Sequence, residues 1–355
     1  MGMEHLGNLL ALDATVTAVA DPHRPSRDDV QRAWRSHDAG PALREFETHR
    51  ELLSYDLCDA VVVSSPNMTH IDILADIFAA DIHVLVEKPL CTTVEDCLKV
   101  IDLAESSDYS SVAWVGMEYR YMPPIARLIE IAASEILGNL RMVAIREHRF
   151  PFLHKVGQWN RFNRNTGGTL VEKCCHFFDL MDTIMDARPE QVYATGGRDV
   201  NHFDEIYDGQ QPDILDNAYV VIDYPNRTRG MLDLCMFAEA TRNQEEVVVV
   251  GDAGKAEAFV PEDIVRLGLR GTHNIGNVET EVITDDNIAF EGGHHGSSYL
   301  EMARFFSAIR EGAEAEVTLL DGLWAVAVGV AGQVSIEKNR PVAMSEVVPS
   351  SLLGR

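Results

Sequence analysis

The chain has 355 residues, which is enough for about two domains of ordinary size. It is 46% hydrophobic and 24% charged, proportions that are typical of globular proteins. Its 56 acidic and 30 basic residues give a formal net charge of −26. A surface of this charge repels phosphate backbones and anionic lipid head groups, so we expect neither nucleic acid nor a membrane among its partners.

The cysteines and the apolar runs indicate a protein of a reducing compartment. None of the six cysteines forms a C-x-x-C pair, and two of them are adjacent, which favours free thiols over a disulfide framework. No apolar run approaches the ~20 residues that span a bilayer. The N-terminus carries no charged leader followed by an apolar stretch. We therefore expect a cytoplasmic protein.

The first ~120 residues alternate short apolar runs with helical patterns, as parallel βαβ units do. The run 59–65 (DAVVVSS) is continuously apolar, which is typical of a strand covered on both faces. The predicted strands are 15–20, 59–65, 83–86 and 112–117, and the predicted helices include 69–80 and 93–107.

Beyond residue 120 the pattern changes to longer alternating segments with turns between them, which indicates an antiparallel sheet with one covered face. These segments are 139–149, 190–198, 216–224, 229–237 and 244–251, and the predicted helices are 124–136, 298–311 and 321–337. The fold class is α/β: a Rossmann-type dinucleotide-binding domain over residues 1–121, then an α+β domain over 122–355 with a large, open, mostly antiparallel sheet.

Gly2 and Asp21 are placed as parts of a dinucleotide site. Asp21 ends the strand 15–20 and follows Gly2 at about the 20-residue spacing of the carboxylate that binds the adenosine ribose. Gly2 then corresponds to the last glycine of a G-x-G-x-x-G turn, and the first strand of the domain is missing. Three explanations stay open: a reading frame that starts upstream, a decayed gene copy, or a partner chain that supplies the strand.

Two loops follow predicted parallel strands and should reach the crevice where dinucleotides bind. One is the segment 65–70, in which we expect Ser65, Pro66, Asn67 and His70 to bind cofactor, although a plain strand-to-helix turn explains it as well. The other contains Glu87 and Lys88 before a proline. A lysine at this place can hydrogen-bond a substrate hydroxyl or the nicotinamide amide and stabilise a developing alkoxide.

The segment 167–181 carries the strongest chemical pattern. Glu172, His176 and Asp179 are spaced by four and three residues, so they would share one helix face. A histidine oriented by a carboxylate is the expected base for removing an alcohol proton, although a buried histidine satisfied within the core fits the helix pattern too. We expect no metal site, because zinc would require an H-E-x-x-H pattern or paired cysteines.

Together these residues resemble the Gfo/Idh/MocA family, named after glucose–fructose oxidoreductase, inositol dehydrogenase and a rhizopine-catabolism protein. The resemblance extends along nearly the whole chain and depends on order, spacing and placement. The matching features are Asp21, the 65–70 loop, Glu87-Lys88-Pro89, Tyr119-Arg120-Tyr121 with Pro123, and the segment 167–179.

The resemblance implies a nicotinamide cofactor, a sugar, sugar-acid or cyclitol substrate, and homodimers or homotetramers formed through the open sheet. It implies that Lys88 and His176 are the catalytic pair, assisted by Glu172 where the family commonly carries Asp, and that Arg120 contributes to cofactor binding. Asp21 favours NAD, while the nearby Arg24 and Arg27 leave NADP possible.

The pocket wall is assigned to Trp159, Arg161 and Asp179, with the polar loop 201–213 over the cleft. The leading function is a dehydrogenase that moves a hydride between a secondary alcohol and the nicotinamide. Two alternatives remain: an NAD-dependent glycosidase-type relative, and a non-catalytic sensor or decayed copy consistent with the shortened glycine turn.

Overall fold

The computed structural model describes residues 1–37 and 40–353. The elements of the first part are α1 Gly2–Ala11, β1 Ala18–Ala20, α2 Arg24–Ser36, β2 Arg44–Phe46, α3 His49–Leu53, β3 Ala60–Val63, α4 His70–Ala80, β4 His83–Glu87, α5 Val94–Ser106 and β5 Ala113–Gly116. The remaining helices are α6 Pro123–Ala133, α7 Asn163–Thr166, α8 Thr169–Glu172, α9 Cys175–Met185, α10 Ser297–Glu311 and α11 Leu319–Lys338. The remaining strands are β6 Leu140–His148, β7 Gln191–Gly197, β8 Asn217–Asp223, β9 Arg229–Cys235, β10 Glu245–Gly251, β11 Gly254–Val260, β12 Ile264–Leu269, β13 Glu279–Val282 and β14 Val342–Ala343.

The parallel strands of the first part form two separate groups. Strands β3, β4 and β5 pair in that order, and β1 pairs with β2. No strand joins the two groups within residues 1–37 and 40–353. Helices alternate with these strands as predicted, and the side chains of β4 from Val84 to Glu87 are buried because helices cover the sheet on both sides.

The second part is built on one nine-stranded sheet in the order β13-β12-β11-β10-β6-β9-β8-β7-β14. Every neighbouring pair is antiparallel except β6 with β9. Side chains alternate between a buried face and an exposed face, as in β10, where Val247 and Val249 are buried. Helices α9 and α11 pack on the buried face. The predicted fold class, including the mostly antiparallel sheet, is confirmed.

Helix α11 joins the two parts of the molecule. It contacts α5 and β5 on one side and α8, α9 and β7 on the other. A Cβ added at Gly329 would lie 2.6 Å from the main-chain oxygen of Leu170, so glycine lets α11 approach the backbone of α8 closely. By length and composition α11 is the one helix of the described ranges that could span a membrane, but most of it is buried in this core. The boundary at residue 121 stays a prediction.

A buried hydrogen bond fixes α1 against β4. His5 of α1 donates a hydrogen bond from Nε2 to Oε1 of Glu87 at 2.6 Å, and the two residues are only 3% and 5% exposed. Burial alone would raise the pKa of Glu87, but the hydrogen bond and charge of His5, together with Lys88, lower that pKa to about 2. The contact holds the helix that begins at Gly2 beside the strand that leads to Lys88.

The substitution His5→Gln should lower the free energy of unfolding by about 2 kcal/mol near neutral pH, because it weakens a charge-assisted hydrogen bond to a buried carboxylate. A carboxyl group with a depressed pKa stabilises the fold above its unfolded pKa, and this contribution disappears as the pH falls toward the folded value. The difference between variant and wild type in urea unfolding should therefore stay constant from pH 7 to about pH 5 and narrow as the pH falls from about 5 to about 2.

The matched control is His49→Gln, because His49 pairs with Asp76 at the half-exposed surface. His49→Gln should change the free energy of unfolding by no more than about 0.5 kcal/mol, because exposed ion pairs contribute little to stability. If His5→Gln loses no more free energy of unfolding than His49→Gln, the proposed contribution of the His5–Glu87 pair is contradicted.

Candidate active site

Three neighbouring parallel strands end at one edge of the sheet and bring their following residues together. The loop after β3 leads to Asn67 and His70, β4 ends at Glu87 before Lys88, and Glu118 follows β5. His70 is fully buried, with Nδ1 3.0 Å from the main-chain oxygen of Pro89 and Nε2 3.1 Å from that of Ser65. The His70 side chain thus joins the first two loops.

Lys88 lies at the centre of this edge and reaches the second part of the chain. Its Nζ donates a hydrogen bond to the main-chain oxygen of Glu172 at 2.9 Å. Burial alone would lower the pKa of Lys88, but the negative groups around it, Glu172 first among them, raise that pKa to about 12. Lys88 therefore carries a positive charge at neutral pH inside a low-dielectric site, where a charge acts strongly on a bound oxygen.

Glu172 contacts the first part of the chain and not the histidine that it was expected to orient. Its Oε2 accepts a hydrogen bond from Nδ2 of Asn67, and burial raises the pKa of the Glu172 carboxyl group. The sequence spacing predicts one continuous helix through Glu172 and His176, and this prediction is wrong. Helix α8 ends at Glu172 and α9 begins at Cys175, because the N–H of Cys174 bonds to the main-chain oxygen of Thr169, five residues back.

His176 is a buried and neutral base. Its ring stacks on Tyr119 with the centroids 4.1 Å apart, and the residue is only 2% exposed. Burial and then the charges of Lys88 and Lys173 hold the pKa of His176 well below its usual value. Within the described residues Nδ1 has no hydrogen-bond partner. A neutral imidazole with a free nitrogen can accept a proton at physiological pH.

The carboxylate nearest to His176 is that of Glu118, a residue absent from the predicted site. Its Oε1 lies 3.6 Å from Nε2 of His176 and 3.7 Å from Nε2 of His294. Burial raises the pKa of Glu118, with Glu87 adding to the rise. The glutamate stands just before Tyr119-Arg120-Tyr121, so its position at the end of a predicted strand was the available signal.

Arg120 and Asp179 bind each other. Nε of Arg120 donates to Oδ2 of Asp179 at 2.6 Å, and Asp179 is 2% exposed. Arg120 also donates to the main-chain oxygen of Glu316 at 3.1 Å. This arrangement ties the residues after β5 to α9. The roles of Arg120 in cofactor binding and of Asp179 in substrate binding stay predictions.

Trp159 and Arg161 belong to a short 3-10 segment, Val156–Arg161, next to the loop 201–213. Nε of the buried Arg161 donates to Glu205 at 2.8 Å, and His202 and Tyr207 bind the same carboxylate. These contacts anchor the loop to the segment. Their use by substrate stays a prediction.

Gly2 and Asp21, the residues predicted to bind the dinucleotide, both lie near the ends of parallel strands. A Cβ added at Gly2 would lie 3.0 Å from Oγ of Ser64, so the first turn of α1 lies against the end of β3. Asp21 follows β1 directly, and its Oδ1 accepts a hydrogen bond from the N–H of His23 at 2.7 Å. Asp21 therefore follows the carboxyl end of one parallel strand, and Gly2 lies beside the carboxyl end of another. Residues 1–37 and 40–353 contain no group of three or more His, Cys, Asp or Glu side chains able to hold a metal ion.

Two family models match most of the chain. A model described as the NAD-binding Rossmann fold of an oxidoreductase family matches residues 1–116, and the C-terminal alpha/beta domain of that family matches residues 130–344. The chain is 26% identical over 364 residues to myo-inositol 2-dehydrogenase of Thermotoga maritima, covering 98% of this chain and 97% of that protein. It is 29% identical over 174 residues to the rhizopine catabolism protein MocA of Rhizobium meliloti, covering 49% of this chain and 50% of that protein.

Solved structures share the fold over nearly the whole chain. Levoglucosan dehydrogenase in complex with NADH and levoglucosan superposes with a TM-score of 0.83 at 18% identity, covering 97% of this chain and 96% of that one. An oxidoreductase from Agrobacterium radiobacter in complex with NAD⁺, L-tartaric acid and magnesium superposes with a TM-score of 0.78 at 15% identity, with the same coverage. The predicted family, fold class and NAD cofactor are thus confirmed. The chain belongs to the Gfo/Idh/MocA oxidoreductase family, whose N-terminal part is an NAD-binding Rossmann fold.

Proposed function

We propose that this oxidoreductase is an NAD-dependent dehydrogenase that oxidises a secondary alcohol of a ring polyol: a sugar, a sugar acid or a cyclitol. The observation that carries the proposal is the pairing of a charged lysine with a neutral histidine at the strand ends. Lys88 lies close enough to lower the pKa of His176 by its charge. One group can bind a hydroxyl oxygen while the other accepts its proton.

The residues at the strand ends fit a dinucleotide. Helix α1 begins at Gly2, and the N–H groups of its first turn have no acceptor within the helix, which suits a phosphate oxygen. The carboxylate of Asp21 suits the hydroxyls of the adenosine ribose. His176 Nδ1 is buried without a partner among the described residues, as expected of a site that is completed by a ligand.

NAD is preferred over NADP in this proposal because Asp21 follows β1 and both nearby arginines already pair with other carboxylates. Arg27 donates to the main-chain oxygen of Asp21 and pairs with Glu45 at 3.5 Å. The Arg24 side chain is 81% exposed and lies beside Asp28. A 2′-phosphate would face the negative charge of the Asp21 carboxylate, which disfavours it electrostatically.

In the proposed reaction the chain positions the alcohol and moves its proton. Lys88 binds the hydroxyl oxygen and stabilises the negative charge that grows on it, and His176 accepts the hydroxyl proton. The chemistry that bound NAD⁺ supplies is acceptance of a hydride from the carbon. Glu172, held by Asn67, lies beside Lys88 and balances its charge. Trp159 and Arg161 are proposed to line the polyol pocket.

The substitution His176→Ala should lower turnover of a ring polyol roughly 10²–10⁴-fold, because it removes the proton acceptor, and it should leave NADH affinity nearly unchanged. The assay follows NADH absorbance with myo-inositol and levoglucosan as substrates. The control His148→Ala alters a histidine that binds Asp233 on the sheet. Turnover by His176→Ala equal to that of the control would refute the assignment of His176 as the proton acceptor. If the protein is non-catalytic, the wild type will oxidise neither substrate.

We further propose that the protein assembles as a homodimer or homotetramer through the exposed face of the nine-stranded sheet. Tyr193, Val221 and Met231 are directly opposite one another on β7, β8 and β9 and are exposed. Tyr219, two residues before Val221, adds to the same face. Such a contiguous apolar surface is typical of protein–protein interfaces.

The substitution Met231→Glu should dissociate the assembly, because it buries an unpaired charge in an apolar interface. Light scattering should then give a mass near the 39.4 kDa of one chain. The control Val282→Glu places the same charge on the exposed edge strand β13 and should leave the mass unchanged. A wild-type mass of one chain, or a Met231→Glu mass equal to that of wild type, would contradict this interface.

The cytoplasm remains the proposed compartment. All six cysteines are free thiols, and four of them are buried. Free thiols are maintained where glutathione and thioredoxin keep proteins reduced.

A further inference from the structure

A line of ionisable side chains leads from the buried His176 toward the protein surface. Glu118 stands between two histidines, with its Oε1 3.6 Å from Nε2 of His176 and 3.7 Å from Nε2 of His294. The other ring nitrogen of His294, Nδ1, lies 3.0 Å from Oε1 of Glu4. Each neighbouring pair in this line is thus within about 1 Å of hydrogen-bonding distance.

Exposure increases from His176 through Glu118 to His294. The side chains of His176 and Glu118 are each 2% exposed, whereas that of His294 is 27% exposed. His176 itself therefore has no direct access to bulk water, and a proton that it accepts must leave through another group. Tyr119 stacks on His176 and lies beside His294, with centroids 4.1 Å and 6.4 Å away, so its ring forms one wall of the line.

The loop that carries His294 is held in place by the first helix. The N–H of Gly293 donates to Oε1 of Glu4 at 3.0 Å, and Phe290 packs against Gly7 of α1. A Cβ added at Gly292 would lie 2.5 Å from Oε1 of Glu4, so the loop backbone closely approaches that carboxylate. These contacts keep the His294 ring aimed at Glu118.

We propose that Glu118 and His294 form a proton outlet that carries the proton from His176 to solvent during alcohol oxidation, an inference that rests on the proposed dehydrogenase function. The alcohol O–H breaks as an N–H forms on His176. The Nε2 proton of His176 then passes to Oε1 of Glu118, and the Glu118 proton passes to Nε2 of His294. The Nδ1 proton of His294 leaves to Glu4 or water, so one proton reaches solvent for each hydride accepted by NAD⁺.

The acidities along the line favour this direction. Burial and nearby positive charges lower the pKa of His176, and burial raises the pKa of Glu118. The pKa of His294 is also raised, since Glu4 and Glu118 outweigh the opposing effect of its burial. The lowered pKa of His176 and the raised pKa values of Glu118 and His294 thus favour movement of the proton outward from His176. A small rotation of Glu118 or of the histidine beside it can close each of the two gaps, as catalytic hydrogen bonds often tighten when ligand binds.

The test compares His294→Ala with His295→Ala, which changes the adjacent histidine in the same loop, near Asp263. The substrate is myo-inositol or levoglucosan, whichever the wild type oxidises faster. We expect His294→Ala to lower kcat roughly 10-fold or more with KM and NADH affinity unchanged, and added imidazole to restore turnover by replacing the missing ring. His295→Ala should behave as wild type.

Wild-type kcat in the His294→Ala variant would overturn the outlet while leaving the proposed dehydrogenase function intact. A lower kcat that imidazole does not restore, accompanied by weaker NADH binding, would show that His294 only supports the fold of its loop, and would also overturn the outlet. Failure of the wild type to oxidise either polyol would overturn the proposed function and the outlet together.

Discussion

The hydrogen bond from Lys88 to the main-chain oxygen of Glu172 joins the two halves of the site. Lys88 follows a parallel strand of the first part, whereas Glu172 ends a short helix of the second part, just before the helix that contains His176. The bond therefore sets the position of His176 relative to the charged Lys88. It depends on α11, which packs on α5 and α8 together, and on Gly329, whose missing side chain permits that approach.

Electrostatics then divide the chemical roles within a strongly acidic protein. The carboxylates around Lys88 keep it charged, and the charges of Lys88 and Lys173 keep His176 neutral, so one group can stabilise an oxyanion while the other accepts a proton. A buried base needs a route for its proton. Glu118 and His294 supply one on the side of the site that faces α1, where His5 and Glu4 hold the helix and the loop in place.

The sequence predicted the strand ends and their loops because those signals are local: an apolar run, a turn and a polar residue at the carboxyl end. It did not predict Glu118 as the neighbour of His176, since the two residues are far apart in the chain and only the fold brings them together. The four-residue spacing of Glu172 and His176 also gives no sign that the helix breaks after Glu172. Strand β11 was missed because its KAEAF sequence favours helix, and pairing with β10 and β12 overrides that preference.

The central claim is that these strand ends hold a nicotinamide dinucleotide between Asp21 and the Lys88–His176 pair. The most direct measurement is a titration of the purified protein with NADH and NADPH, followed by nicotinamide fluorescence and calorimetry. The account predicts saturable binding of NADH in the micromolar range and weaker binding of NADPH, as expected when a carboxylate faces the ribose. A folded protein that binds neither dinucleotide would contradict it.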